Sequence, residues 1–301
     1  MSDPTVSVVI PTLNREQVLC DTLDYFLTRE THPLLEVIVV DQTERHEPRT
    51  ARYLESVAGR IEHVRATYKS LPRARNDGLA RARGDIVLFV DDDVQPRDGF
   101  VAAHVKPYVD PKVWMVTGPS PAPGGELLRR DQMSDAEYAQ LLAGQKIAWH
   151  VDFDYVPCDW AAGCNFSVRR DAARRVGGFD ENFIGSAIGE DAEFSGRIKT
   201  HGGLIYYATR AFLIHLQMVT GGCRSDVGPA YVKMYAYNQN YFYRKIGASR
   251  AQRLAANWRS YRQFVLNKDC LFSRKLPSLQ AAFVAGVLQG LRRPLAELKP
   301  L

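Results

Sequence analysis

Three consecutive acids, Asp91-Asp92-Asp93, follow directly on the apolar run Ile-Val-Leu-Phe-Val at 86–90. Close like charges raise one another's pKa, so such a trio persists where a cation or several hydrogen bonds offset the repulsion. Hard divalent ions take oxygen ligands, and Mg²⁺ in particular is held by one or two carboxylates plus substrate phosphates. The trio therefore points to a metal–diphosphate site, against the simpler reading of a solvated turn. A second acidic group, Glu190-Asp191 with Glu193, opens a helical-period segment after Gly185-Ser186-Ala187-Ile188-Gly189. Acids there suit a helix N-terminus, and a carboxylate presented to a cleft by such a start is also suited to taking a proton from a hydroxyl. The flanking glycines predict a loop that moves when a ligand binds.

Between the third and fourth apolar runs, Arg73, Arg75, Arg81 and Arg83 share one helical segment. Helical spacing does not bring all four to one point. Arg73 and Asn76 fall nearest the helix start, where an anion is stabilised, and Arg81 and Arg83 read as surface. No GxGxxG follows the first apolar run and no GxxxxGK[ST] is present, which removes the main support for dinucleotide oxidoreduction and for P-loop hydrolysis. The cysteines at 20, 158, 164, 223 and 270 are scattered, with no CxxC pair and no zinc-ligand spacing, and read as reduced packing thiols. In the stretch Cys158-Asp159-Trp160 through Phe166, Trp160 suits either a sugar ring or the core, and Asp159 is a second candidate base.

The elements that must position these groups are legible as strands near 6–11, 36–41, 61–66, 85–91, 113–118, 164–169, 204–208 and 211–216, with helical periodicity between them. Strands apolar on both faces and separated by helices imply an α/β fold with a mostly parallel sheet flanked by helices. Ligands bind such sheets outside the carboxyl ends of the strands. That rule gathers Pro11-Thr12-Leu13-Asn14-Arg15, Asp41 and Asp91–Asp93 on one rim. Asp41 by itself also reads as a turn former. The run Pro119–Gly125 (PSPAPGG) marks a hinge between two halves, 1–118 and 119–223. From about 227 the pattern is wholly helical.

The chain has 301 residues, 46% hydrophobic and 24% charged, enough apolar material for a sizeable core and too little net charge for disorder. Its net charge of +5 is unevenly placed: residues 1–223 carry 25 basic and 31 acidic side chains, and residues 224–301 carry 14 and 3. Aromatic residues interleave with the basic ones, which suits an anionic surface or nucleic acid, but no nucleic-acid module is present. In this helical region Tyr231, Tyr235, Asn238 and Phe242 recur on one helical face, which reads as packing against the body. The uncharged run 276–291 is too short to span a bilayer. It suits lying on one, with Phe283, Val284 and Leu288 toward lipid and basic ends at anionic headgroups. No basic-then-apolar leader precedes Thr5, so a cytoplasmic location is expected, peripheral on the inner face of the membrane.

The runs VSVVIPTLNR, VIVVDQ, RARNDGLARARGDIVLFVDDDVQP, GCNFSVRRDAARRVGGFDENF and GEDAEFSGRI, taken in this order, closely resemble family 2 inverting glycosyltransferases of the GT-A fold. The resemblance covers roughly residues 5–216. It implies a GT-A-like, Rossmann-like body at 1–223, made of a nucleotide-binding half and an acceptor half that carries the base, followed by a C-terminal helical appendage at 224–301. It also implies a nucleotide-diphosphate sugar donor, with a UDP- or dTDP-sugar favoured, a Mn²⁺ or Mg²⁺ ion and a glycan or lipid-linked acceptor. On matching positions Pro11, Thr12, Asn14 and Asp41 surround the nucleoside, and Arg73 and Asn76 line its other side. Asp91 and Asp92 support ribose or metal, Asp93 and His215 hold the metal, and Asp191 is the catalytic base. In some relatives a comparable helical region mediates dimers, so a homodimer is expected.

Two rivals remain at the level of sequence. A sugar-phosphate nucleotidyltransferase uses a similar sheet but carries a Gly-rich basic loop after its first strand, and PTLNREQ has no glycine. A catalytically silent nucleotide-sugar-binding scaffold at the membrane would have lost the base or the acids, and both are present.

Overall fold

The computed structural model describes residues 4–125, 134–136, 155–223, 228–266 and 275–301; Cys270 lies outside them. Elements alternate from the start: β1 (Val6–Thr12), α1 (Gln17–Asp24), β2 (Glu36–Asp41), α2 (Pro48–Ser56), β3 (Glu62–Arg65), α3 (Leu71–Arg81) and β4 (Ile86–Val90). Next come β5 (Val94–Pro96), α4 (Phe100–Val105), β6 (Val113–Thr117), β7 (Val156–Pro157), β8 (Asn165–Arg169), α5 (Arg170–Arg175), α6 (Glu190–Thr200), β9 (Leu204–Tyr207) and β10 (Leu213–His215). Among the described residues three helices follow: α7 (Pro229–Lys245), α8 (Arg250–Phe264) and α9 (Leu276–Arg292).

Eight of these strands form one sheet in the order β3-β2-β1-β4-β8-β6-β9-β7, and β5 with β10 forms a separate ribbon. Strands β3, β2, β1 and β4 run parallel. Both sheet faces are dry because alternate residues serve opposite layers: Val8, Ile10, Val37, Val39 and Leu88 pack under α1, α2 and α4. Val9, Ile38, Val40, Val87 and Phe89 pack under α3, α5 and α6. Each such side chain contributes about 1.5–3 kcal/mol by leaving water. Gly78 of α3 sits so close to β1 that a Cβ there would meet Val9 Cγ1 at 2.3 Å.

The sheet departs from the parallel expectation at one strand that matters. β8 runs antiparallel to both β4 and β6, so its N-terminal end, not its C-terminal end, reaches the functional rim. In the ribbon, β10 runs antiparallel to β5 and brings its C-terminal residue, His215, opposite Val94. Pro119 and Pro121, in the run read as a hinge, accept backbone hydrogen bonds from Leu213 and His215 through their carbonyls.

In the appendage α9 lies along α7. A Cβ on Gly286 would meet the Lys233 carbonyl oxygen at 2.2 Å, and one on Gly290 the Tyr237 carbonyl oxygen at 2.5 Å. Two glycines one turn apart thus set the helix spacing, a signal the sequence carried. The tyrosine stripe of α7 does not act as one face. Tyr231 and Tyr235 turn into the appendage's own core against Phe264, whereas Asn238 and Phe242 meet the body at Ile184 and Gly189. Phe283 also corrects the lipid-facing expectation: it is 6% exposed and packs edge-on to Tyr261, while Val284 and Leu288 are exposed. Among the described residues, no helix is long and apolar enough to cross a membrane.

Candidate active site

The rim at the carboxyl ends of β1 and β4 carries a cleft of ≈ 150 Å³ lined by Pro11, Thr12, Leu13, Arg15, Gln42, Leu71, Asp91–Asp93, Ser186, His215, Gly222 and Cys223. Five of the site residues expected from sequence therefore meet where β1 and β4 end, with His215 arriving from β10. Thr12 is 2% exposed, and its hydroxyl hydrogen-bonds the Asp92 carboxylate, which opposes the burial-driven rise of that acid.

The aspartate trio is held apart by cations. Arg15 Nε lies 3.2 Å from Asp92 Oδ1 and its Nη2 lies 3.2 Å from Asp93 Oδ2. His215 Nε2 lies 3.1 Å from Asp93 Oδ1 and 3.6 Å from Asp91 Oδ2. Burial pushes Asp92 up to about 7, with Arg15 opposing and the two neighbouring aspartates adding to the rise. Burial also works against a charged Asp93, yet His215, the Met218 N–H and Arg15 hold it below the usual carboxylate range. For His215 burial favours the neutral ring, but Asp93 outweighs it and raises the imidazole to about 10. The ring is thus an imidazolium between two carboxylates, and a divalent ion bound there must displace its proton.

Cys164 joins this cluster. Ligand atoms of Asp91, Cys164 and His215 all lie within 4.8 Å of one another. The pairing Val90 with Asn165 across the antiparallel β4–β8 ladder puts the next residues outward, Asp91 and Cys164, side by side. Linear spacing could not show this thiol to be more than packing.

The second acidic group reaches the same rim through an arginine that sequence reasoning left unassigned. Arg75, 2% exposed, pairs through Nη1 with Glu190, donates 2.7 Å to the Gly163 carbonyl and lies 3.7 Å from Asp91 Oδ1. Its place was legible only as one of four arginines, because helical phase alone did not say which face of α3 meets the sheet. Asp191 accepts from the Gly163 N–H at 3.0 Å and from the Ala192 N–H at 2.8 Å. Burial raises its pKa, against those N–H donors and Arg75. A Cβ on Gly163 would sit 3.1 Å from Arg75 and 3.3 Å from Asp191, so this close approach depends on glycine. Glu190 and Glu193 are buried rather than mere N-terminal charges: Glu190 is pushed up to about 7 by burial despite Arg75, and Glu193 pairs with Arg197 at 2.8 Å.

The other expected residues lie elsewhere. Asn14 is exposed with φ +51° and its N–H bonds to Thr43, so it forms a turn beside the cleft and not its lining. Asp41 is fully buried beneath His46 Nε2 at 3.0 Å, His63 Nε2 at 2.9 Å and Arg65 at 2.5 Å; despite burial, these partners hold it well below the carboxylate range. Its neighbour Gln42 faces the cleft instead. Arg73 stacks 4.1 Å over the Tyr68 ring. Asn76 spends both ends of its amide on the Phe179 main chain, donating at 2.9 Å and accepting at 2.7 Å. Neither residue lines the cleft, because the helix turns Arg75 toward it. Asp159 is half exposed, paired with Lys199 and not part of the cleft lining. Arg15, gathered on the rim by the sequence but given no role there, also bonds the Met218 and Thr220 carbonyls, and so ties the segment 218–223 over the cleft.

Comparison with known proteins agrees with this arrangement. The family model described as Glycosyl transferase family 2 matches residues 7–177. Validoxylamine A glucosyltransferase of Streptomyces hygroscopicus subsp. limoneus is 31% identical over 230 residues, 66% of this chain and 49% of that protein. Pre-mycofactocin glycosyltransferase of Mycobacterium tuberculosis is 34% identical over 149 residues, 47% of this chain and 29% of that protein. The chain thus spans half or less of the length of these relatives. Among solved structures, the mannosyltransferase PcManGT of Pyrobaculum calidifontis in complex with GDP-Man and Mn²⁺ superposes with a TM-score of 0.61 at 20% identity, covering 97% of this chain and 88% of that one. The fold is therefore that of GT-A glycosyltransferases. Because the family match extends over more than half of the chain, the protein belongs to glycosyl transferase family 2.

Proposed function

We propose that the protein transfers a sugar from a nucleoside-diphosphate sugar, a UDP- or dTDP-sugar in the first place, to a hydroxyl of a glycan or lipid-linked acceptor with inversion at the anomeric carbon. The observation that carries this reading is Arg75, which links the aspartate trio to the helix start that presents Asp191. The body, residues 1–223, holds every group in that chain of contacts; 224–301 is assigned to acceptor or membrane contact.

Residues at the cleft fit a divalent cation: carboxylates of Asp91 and Asp93 and the His215 imidazole converge within bonding range of one another. When bound, such an ion supplies positive charge to the departing diphosphate, so no protein acid is needed for the leaving group. Pro11, Thr12 and Gln42 form the wall for the nucleoside. Asp191, oriented by two backbone N–H groups, takes the acceptor's proton as its oxygen attacks from the face opposite the diphosphate. Burial strengthens it as a base by raising its pKa. A base must be deprotonated to act, so activity falls on acidification at a pH above that of an ordinary carboxylate. The cleft is small beside the roughly 300–1,000 Å³ of small-molecule sites, so donor entry requires movement of Ser186 and of the 218–223 segment that Arg15 holds.

The appendage supports a peripheral site on an anionic membrane. Val284, Leu288 and Leu291 form an exposed apolar stripe on α9 that ends at Arg292 and Arg293, the arrangement of an interfacial helix. Such placement suits a lipid-linked acceptor.

The test of the activity is Asp191→Asn. Turnover of a nucleotide sugar falls by at least about 10²–10⁴-fold while the donor still stabilises the protein thermally. Loss of donor binding together with turnover overturns the assignment of Asp191 as base. Diphosphate release from a nucleoside triphosphate and a sugar phosphate decides for nucleotidyl transfer instead.

A further inference from the structure

The antiparallel course of β8 places Cys164 at the metal-binding rim, a position that a purely parallel sheet would have given to a strand's other end. Its Sγ, one Asp91 oxygen and a His215 ring nitrogen lie within 4.8 Å of one another, close enough for a single ion to touch all three. Cys164 is half-buried and forms no disulfide. A second feature marks the same place: Asp93 Oδ1 lies 3.1 Å from His215 Nε2, so a further ligand-type oxygen borders the cluster.

We propose that Cys164 is a direct ligand of the cation, as a thiolate beside Asp91 and His215, and that it biases the site toward thiophilic divalent ions. The inference rests on the cleft being a metal site. Oxygen-only donor sets suit Mg²⁺, imidazole suits later transition ions, and thiolate selects softer ions such as Zn²⁺. A mixed O, N and S set disfavours Mg²⁺ relative to Mn²⁺, and favours Co²⁺, Zn²⁺ and Cd²⁺ over both. Binding releases the thiol proton to solvent and forms the metal–sulfur bond, with no change of oxidation state. A Zn²⁺ or Cd²⁺ ion held this way occupies the diphosphate site tightly and inhibits transfer.

The experiment is a Co²⁺ titration of the full-length protein, followed by absorption spectroscopy, for wild type, Cys164→Ser and Cys223→Ser. Wild type and Cys223→Ser show both visible d–d bands and a near-ultraviolet sulfur-to-cobalt charge-transfer band; Cys164→Ser keeps the d–d bands and loses the charge-transfer band. In parallel, the Cd²⁺ to Mg²⁺ affinity ratio falls by about tenfold or more in Cys164→Ser, the scale on which changes around a metal alter affinity. Circular dichroism and thermal melting confirm that the serine variant folds, and Cys164→Ala repeats the measurement without a hydroxyl. d–d bands without charge transfer in wild type overturn the thiolate ligand and leave the metal site standing. A charge-transfer band lost in Cys223→Ser but kept in Cys164→Ser also overturns it. If wild type gives no cobalt bands, the metal site and the inference both fail.

Discussion

The body and the appendage bury polar groups in different ways. Around the cleft of the body the buried groups include charges in opposed pairs: Arg15 with Asp92 and Asp93, and Arg75 with Glu190. Inside the appendage they are neutral. Asn240 and Asn257 exchange amide hydrogen bonds at 2.8 and 2.9 Å, Gln239 donates to Asn257 at 3.0 Å, and Ser260 bonds the Ala256 carbonyl at 3.1 Å. Taking an ion pair out of water costs more than it returns unless every charge is matched, whereas a satisfied amide network fixes helix register at smaller cost. Around the cleft, then, opposed charges are buried, and inside the appendage amides serve where only packing is needed. The seam between the regions is mixed: Lys245 of α7 pairs with Asp180 and lies 3.3 Å from Glu193, while Asn238 clasps both main-chain groups of Ile184 at 2.8 and 3.0 Å.

The contrast breaks most visibly at Arg75. Arg75→Met leaves Glu190 buried and unpaired, which destabilises the fold by about 3–5 kcal/mol. Denaturant melts at neutral pH check the size, and melts at pH 5, where Glu190 protonates more readily, recover part of the loss. Recovery that is absent at low pH means the arginine's packing on Phe166 and Phe179 is the larger part of its role.

His104 tests the body's treatment of a titratable group held neutral. The ring bonds Ser167 Oγ at 3.1 Å and Asn165 Oδ1 at 2.9 Å, and burial lowers its pKa from 6.5 to about 4. The unfolded chain then binds more protons than the folded one between those values, so the stability contributed by neutral His104 is full above pH 6.5 and lost as pH falls toward 4. The integrated loss is about 3 kcal/mol at roughly 1.4 kcal/mol per unit. His104→Gln removes this dependence: its stability difference from wild type shifts in the variant's favour by that amount between pH 7 and pH 4. Parallel pH profiles for the two proteins contradict it.

At the seam, Asn238→Ala leaves the Ile184 N–H without a partner, while its C=O keeps the Ala187 N–H, at a cost of about 1–3 kcal/mol. Amide exchange should rise at Ile184 and along α7 more than in the central strands. A uniform rise means the two regions unfold as one unit. The smallest effect belongs to the outer face of α9, where Leu288→Gln changes stability by less than about 0.5 kcal/mol yet weakens sedimentation with phosphatidylglycerol vesicles. Unchanged vesicle binding with a shift from dimer to monomer by light scattering assigns that stripe to a second copy instead.

Much of the fold was written locally. Apolar runs such as VSVVIP and DIVLFV fix strands buried on both faces, and Gly189 with φ +93° starts α6 at Glu190 as the motif suggested. The meeting of Thr12 with Asp91–Asp93 was legible because strand ends in open sheets converge, and His215 was added by the family resemblance. Asn14, Asp41, Arg73 and Asn76 were placed at the nucleoside by position in a motif. The structure shows them instead in a turn, under a cap of histidines, on Tyr68 and on the Phe179 main chain.

What the sequence alone determined is the alternation of elements, the acidic rim and the basic tail, since each depends on residues near one another in the chain. Tertiary structure decided the direction of β8 and β10, and with it the meeting of Cys164 and His215 with Asp91. It also decided which arginine of α3 turns inward and that Arg15 lies between two aspartates. These outcomes join residues from 73 to more than 120 positions apart. Pairing direction and helix rotation are set by how whole faces pack, and no local periodicity encodes them.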